Sequence, residues 1–173
     1  MFISQTDLGN FSHAANPLAG SYWTVSAAKR SGRQTAFLSH SHKDAELAKG
    51  VQGFLQAMGW DIYIDWQDTT MPEKPNRETA DKIQEKIRNL DWFLFLGTQH
   101  STASRWCPWE IGYADGVKPR NSIVVVPTAD NHGSYGSEYL ELYRWVSAVD
   151  GGGTGCFRQG PRLGVYTSAT CSR

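Results

Sequence analysis

The segment Thr35-Ala36-Phe37-Leu38-Ser39-His40-Ser41-His42-Lys43-Asp44 decides how the chain is built. Thr35 to Leu38 is a short β-prone run, and the residues after it are polar. Beyond Asp44, the apolar residues Ala45, Leu47, Ala48, Val51, Phe54, Leu55 and Met58 recur at helical spacing. Gly59 follows as the C′ residue that closes the helix. A strand that turns directly into an amphipathic helix is the first half of a βαβ unit, and the chain downstream repeats the theme. Asp61 to Trp66 reads as a strand, Ile62 and Ile64 alternating against Tyr63 and Asp65. Gln67 to Asn76 holds Pro72 and Pro75 and reads as a loop. Ala80, Ile83, Ile87 and Leu90 form the apolar stripe of a second helix. Trp92 to Leu96 is a continuous apolar run, as a strand buried on both faces requires. Ser101 to Val117 reads as a third helical region, Ser122 to Val126 as a strand closed by Pro127, and Glu138 to Val146 as a short helix. Leu163 to Tyr166 reads as a last strand. This alternation predicts an α/β fold with a parallel sheet covered on both faces. Ligands of such sheets sit beyond the carboxyl ends of the strands. Here those ends are Ser39 to Lys43, Asp65 to Asp68, Gly97 to Ser101 and Pro127 to Asp130.

The 173 residues suit one domain. Residues 1–34 are rich in Ser, Gly, Ala and Asn and form an N-terminal arm, packed on the domain or kept for a partner. Residues 35–150 make the domain, and 151–173 are a Gly-rich connection and tail. Lys plus Arg equals Asp plus Glu, 17 each, so the basic surplus of a nucleic-acid binder is missing, as is that of a polybasic membrane tether. No apolar run approaches the roughly 20 residues of a membrane helix. Met1 to Asn10 lacks the basic-then-apolar pattern of a signal peptide. Cys107, Cys156 and Cys171 are odd in number and widely spaced, which fits a reducing, cytoplasmic setting and supplies no zinc signature.

Three places offer chemistry. The loop Ser39 to Asp44 opens a helix, so free backbone N–H groups, with Ser39, Ser41 and Lys43 as added donors, make a phosphate seat. Equally, Ser41 or Asp44 simply caps the helix. His40 and His42 lack a third ligand nearby and do not make a metal site. Gly151-Gly152-Gly153-Thr154-Gly155 fails the dinucleotide pattern because Cys156 stands where its last glycine belongs, and no P-loop occurs. The densest signal is Ser101-Thr102-Ala103-Ser104-Arg105-Trp106-Cys107-Pro108-Trp109-Glu110. Pro108 fits a first helical turn. Trp106 and Glu110, four apart, share a face if that turn is helical, giving a stacking surface beside a charge suited to a developing cation. The alternative is a solvated Glu110 on a helix whose Trp109, Tyr113, Ala114 and Val117 face the core.

Residues 35–150 resemble a TIR domain. The resemblance rests on Ala36-Phe37-Leu38-Ser39-His40-Ser41 with Asp44, on the strand Asp61 to Asp65 with its proline-bearing loop to Asn76, and on Asp91 to Gly97 followed by Ser101, Ser104 and Trp106-Cys107-x-x-Glu110. It implies a flavodoxin-like three-layer sandwich. Among NAD-consuming bacterial members it implies cleavage of the nicotinamide–ribose bond, with Glu110 as the catalytic carboxylate. Trp106 would wall the nicotinamide pocket, and Cys107 lies in the same motif as a substrate-binding residue. Phe37, Ser39, His40 and Lys43 would line the ribose and phosphate side, while Asp65 and Trp66 would close the site. NAD would be a substrate, with no cofactor and no metal. The chain is also similar to the TIR components of antiphage systems such as Thoeris, which implies other TIR copies as partners and a separate effector that senses an ADP-ribose-derived signal. The family also contains non-enzymatic TIR–TIR scaffolds, and a nucleoside deoxyribosyltransferase shares the general sheet and a catalytic glutamate.

Overall fold

The computed structural model describes residues 3–12, 32–57, 59–147 and 158–159. In chain order these form β1 (Ile3–Ser4), α1 (Gln5–Ser12), β2 (Gln34–Ser39), α2 (Ala45–Ala57), β3 (Trp60–Tyr63), α3 (Arg77–Asn89), β4 (Trp92–Gly97), α4 (Gln99–Thr102), α5 (Cys107–Val117), β5 (Ile123–Asp130), β6 (Gly133–Tyr135), β7 (Arg144–Ser147) and β8 (Arg158–Gln159). The central strands are parallel in the order β3-β2-β4-β5-β7.

Alternation along these strands sorts the core into two layers. Ala36, Leu38, Leu94, Leu96, Val124 and Val126 face one side, where Ala48, Val51 and Leu55 of α2 and Leu8 of α1 cover them. Phe37, Phe93, Phe95, Ile123 and Val125 face the other, beneath Ile83 and Ile87 of α3 and Cys107, Ile111 and Ala114 of α5. Parity then fixes Ser39, the last residue of β2 and two beyond Phe37, on the α5 side. The strand order also reverses between β2 and β4. The chain leaves β2 for β3 on one flank, then crosses to add β4 on the other, and α2 and α5 go to opposite faces. Such a switch point opens a crevice between the two loops, here those after Ser39 and after Gly97.

Several elements differ from the sequence expectations. The strand expected over Asp61 to Trp66 stops at Tyr63, and Asp65–Gln67 forms a 3₁₀ turn. The single helical region expected over Ser101 to Val117 is two helices, because Thr98 and Ser101 close a capping box around the short α4 and Pro108 restarts the chain in the first turn of α5. Pro127 does not end β5. The ladder with β4 finishes at the pair Gly97–Pro127, and the strand runs on to Asp130 between new partners, β1 and β6. Glu138–Leu142 is a 3₁₀ turn, and the residues after it form β7, not a continued helix. Met58, the Gly-rich connection and the strand expected at Leu163 to Tyr166 lie outside the described residues.

Part of the N-terminal arm packs on the domain. Ile3 and Ser4 pair in parallel with Thr128 and Ala129. Gln5 Nε2 donates to Thr128 Oγ1 at 3.0 Å, and that hydroxyl donates to Gly97 O at 2.6 Å. Helix α1 lies flush on α2, so close that a Cβ at Gly50 would stand 2.1 Å from the carbonyl oxygen of Leu8. Gly50→Ala is therefore expected to force α1 off its seat at about 1–3 kcal/mol, the cost of overpacking. The check is a lower melting temperature together with faster amide exchange in residues 3–12. Wild-type exchange there would refute the contact.

Candidate active site

The densest sequence motif folds back onto the first box. Helix α5 begins at Cys107, with Ser104 Oγ accepting from the Trp106 and Cys107 amides at 3.1 and 3.4 Å. Glu110 stands in the first turn, its amide donating to Trp106 O at 2.8 Å. Its side chain points inward to the carboxyl end of β2, is 4% exposed, and accepts from Ser39 Oγ at 2.6 Å. Burial pushes its carboxyl up to about 8, against the pull of the Ser39 hydrogen bond, and the charge of Asp65 adds to the rise. The solvated alternative fails for Glu110, which is buried, and for Trp109 and Val117, which are 36% and 43% exposed; Ala114 does face the core, with Tyr113 packed against it.

Cys107 lies beside this pair and is fully buried; burial, then Glu110, pushes its thiol up to about 12, so it stays protonated and is not a nucleophile at neutral pH. Phe37 is 1% exposed and stacks between Tyr63 and Phe93, with centroids 5.7 Å from each, in the core layer on the α5 side. Trp106 sits just before the helix and packs edge-on against Trp109 at 5.5 Å, the start of an aromatic row that continues through Tyr113 to Arg88.

A second cluster joins β2 to the loop after β3. His40 Nδ1 donates to Leu38 O at 3.1 Å, which leaves Nε2 to accept the indole N–H of Trp66 at 2.8 Å. Burial chiefly holds this imidazole below its ordinary value, opposed by Asp65, whose Oδ1 is 4.0 Å away. His40 is therefore a neutral acceptor fixed in one tautomer. Trp66, 37% exposed, carries Lys49 Nζ 5.6 Å from its ring centre. The loop that follows is tied down at its start. Asp68 accepts from Tyr63 Oη at 2.8 Å and Thr70 Oγ1 at 2.7 Å and pairs with Lys86 Nζ at 3.2 Å. Burial raises the Asp68 carboxyl, but the hydrogen bonds from Thr70, Tyr63 and Lys86 outweigh it and leave it at about 2. Lys82 Nζ also donates to Thr70 O.

At the loop after β2, Ser41 is the cap, its Oγ accepting from the Lys43 amide at 3.4 Å. Lys43 and His42 are exposed. Asp44 does not cap but turns inward, is 6% exposed, and accepts from Thr98 Oγ1 at 2.5 Å and His100 Nδ1 at 2.7 Å. In the sequence Asp44 stands out as a cap and as part of the first box, and Thr98 and His100 do not stand out at all. Thr98-x-x-Ser101 was the available signal, a capping-box spacing directly after a buried strand. Among the described residues no group of three or more His, Cys, Asp or Glu side chains is placed to hold a metal ion, and no helix is long and apolar enough to cross a membrane.

A parallel sheet wound in this order, with a buried glutamate under the rim of its switch point, defines an α/β protein with a rim-facing carboxyl site. Residues 36–154 match the family model described as TIR domain, and the chain belongs to that family. It is similar to a Bacillus cereus (strain MSX-D12) protein named "Probable 3′ cyclic ADP-D-ribose synthase ThsB′", with 36% identity over 114 residues. That match covers 64% of this chain and 59% of the relative, less than two thirds of its length.

The position of Glu110 has a measurable thermodynamic consequence. Its carboxyl titrates near 4.5 in an unfolded chain and near 8 in the folded one, so between those values the native state holds the extra proton. The contribution to stability is complete below about pH 4.5 and is lost as pH rises through about 8, at no more than about 1.4 kcal/mol per pH unit. Wild-type stability should therefore fall more steeply than that of Glu110→Gln over this window. Parallel curves from denaturant titrations would contradict the burial described.

Proposed function

We propose that the chain cleaves NAD at the nicotinamide–ribose bond and releases nicotinamide with an ADP-ribose-derived signal. The observation that carries this reading is Glu110, a carboxyl buried under the rim of the switch-point crevice and held by Ser39. The name of the Bacillus cereus relative supports a cyclic product and an NAD-like precursor. The TIR family match favours this reading over the deoxyribosyltransferase alternative. A scaffold that worked by surface contacts alone would have no use for a carboxyl removed from water at a cost in burial.

The bond breaks through an oxocarbenium-like transition state, as in glycoside hydrolysis. The nicotinamide ring is already cationic in NAD, so it leaves as a neutral base with the bonding electron pair, and no general acid is required. Glu110 then has one task, to hold the ribose hydroxyls and stabilise the positive charge growing at the anomeric carbon. It must be ionised for this. A positively charged nicotinamide ring beside it lowers its affinity for a proton, so substrate binding itself favours the active form. Capture by water gives ADP-ribose; capture by a hydroxyl of the same molecule gives a ring. Ser39 holds Glu110 in place, and the Trp66–His40 contact sets the wall on the β3 side. By the same reading the signal serves antiphage defence through a separate effector, and assembly with other TIR copies accompanies activity.

Glu110→Gln should lower nicotinamide release by about 100- to 1,000-fold while leaving the melting transition cooperative. The assay is liquid chromatography of free nicotinamide from NAD, at high protein concentration with a crowding agent; wild-type activity in the variant would end the assignment. For the wild type, kcat/KM should rise with pH through a limb near 8, the value that burial gives the free carboxyl, and the limb of kcat should lie lower. A pH-independent kcat/KM would remove Glu110 from the rate equation.

A further inference from the structure

The chemistry above leaves one buried carboxylate without a role. Asp44 is almost fully removed from water, its side chain 5% exposed, yet the imidazole it holds is 47% exposed. A carboxylate only accepts hydrogen bonds, so the 2.7 Å contact places the proton of His100 on Nδ1 and leaves the lone pair of Nε2 free of that contact. Asp44 is itself immobilised by the Thr98 hydroxyl at 2.5 Å. Thr98 in turn is locked by reciprocal bonds with Ser101, 2.8 Å from the Thr98 amide to Ser101 Oγ and 2.9 Å from the Ser101 amide to Thr98 Oγ1. A bond to Thr98 alone would tie the loops after β2 and β4 together. The second oxygen of Asp44 instead fixes the tautomer and direction of an exposed base, the relation by which a carboxylate orients a general-base histidine.

The place matters as much as the geometry. Ser39, the last residue of β2, and Asp44, the last of the 3₁₀ turn that follows it, are the two ends of one six-residue segment at the switch point. Ser39 holds Glu110 of α5 and Asp44 holds His100 of α4, so one segment anchors both the carboxylate that stabilises the cation and an oriented base that the cleavage step does not use. Bond breaking needs no proton transfer, but ring closure through a hydroxyl does.

We propose that His100, oriented by Asp44, is the base for ring closure, an inference that rests on the NAD-cleaving reading above. The bond from the anomeric carbon to nitrogen has broken and its electron pair has left with nicotinamide. A ribose hydroxyl of the same molecule attacks with an oxygen lone pair and forms the new carbon–oxygen bond. Its proton passes to Nε2 of His100 and from the imidazolium to solvent. A 3′ ring, as in the name of the Bacillus cereus relative, is a bond to a position where ribose carries a hydroxyl, the nucleophile that needs such a base. Attack by water also releases a proton, but neighbouring water takes that proton up, so loss of His100 diverts the cation to the linear product. Asp44 acts through the imidazole and is a positioning residue.

The test is mass spectrometry of the products that the full-length chain makes from NAD, with nicotinamide measured in parallel, for wild type, His100→Gln, Asp44→Asn and the double variant. The ratio of cyclic to linear ADP-ribose should fall roughly 10-fold or more in His100→Gln, the lower side of what a positioned base contributes. Asp44→Asn should move the ratio the same way, and the double variant should be no worse than His100→Gln, since the two act as a unit. A wild-type ratio in His100→Gln overturns the proposal, as does a wild type that makes only linear product. Absence of nicotinamide from the wild type would instead overturn the cleavage reading itself. Should Asp44→Asn fail to fold, the exposed His100 still carries the test.

Discussion

A carboxyl group taken out of water must be met by a donor, and Ser39 is that donor for Glu110. Much else is arranged around this contact. It requires β2 to end with its last side chain on the α5 side, which the alternation from Phe37 provides. It also requires α5 to start close to the rim, which the break at Ala103 to Trp106 and the restart at Cys107–Pro108 provide. The Ser39 hydrogen bond favours the ionised carboxylate, in opposition to burial and to the charge of Asp65, and the balance leaves the carboxyl raised to about 8.

The alternation of apolar runs and amphipathic stripes made the layered sheet legible, because strands buried on both faces and one-sided helices leave different marks in sequence. Ile83 and Ile87 fell on their stripe, and Gly59, at φ +84°, occupies the left-handed position expected of it. The missed elements are those whose pairing is long-range. Ile3–Ser4 and Arg144–Ser147 are strands because β5 offers them an edge, and nothing local announces that. Pro127 read as a terminator, yet it lies where β4 ends, so its missing N–H does not stop β5 from continuing.

The candidate site was legible where one motif held it and obscure where it was assembled from distant parts. Glu110 and Ser39 stood out in their motifs, and their meeting across 71 positions is a product of the fold. The resemblance set Phe37 on the ribose and phosphate side, and strand parity packs its ring into the core layer on the α5 side. Asp44 read as a cap because Asp commonly is one; its burial against Thr98 and His100 appears only when the loops after β2 and β4 meet. Glu110 and His100 are thus held from the two ends of one six-residue segment, Ser39 to Asp44.

The family match begins at residue 36, but the packed unit does not. Beyond the reach of β4, Thr128 and Ala129 near the end of β5 pair with Ile3 and Ser4, and the groove over Gly50 is filled by the backbone of Leu8. A chain trimmed to the shared region would bare an unpaired strand end and an apolar furrow together, the combination that invites sticking between molecules. For this protein residues 3–12 work as an internal sealant.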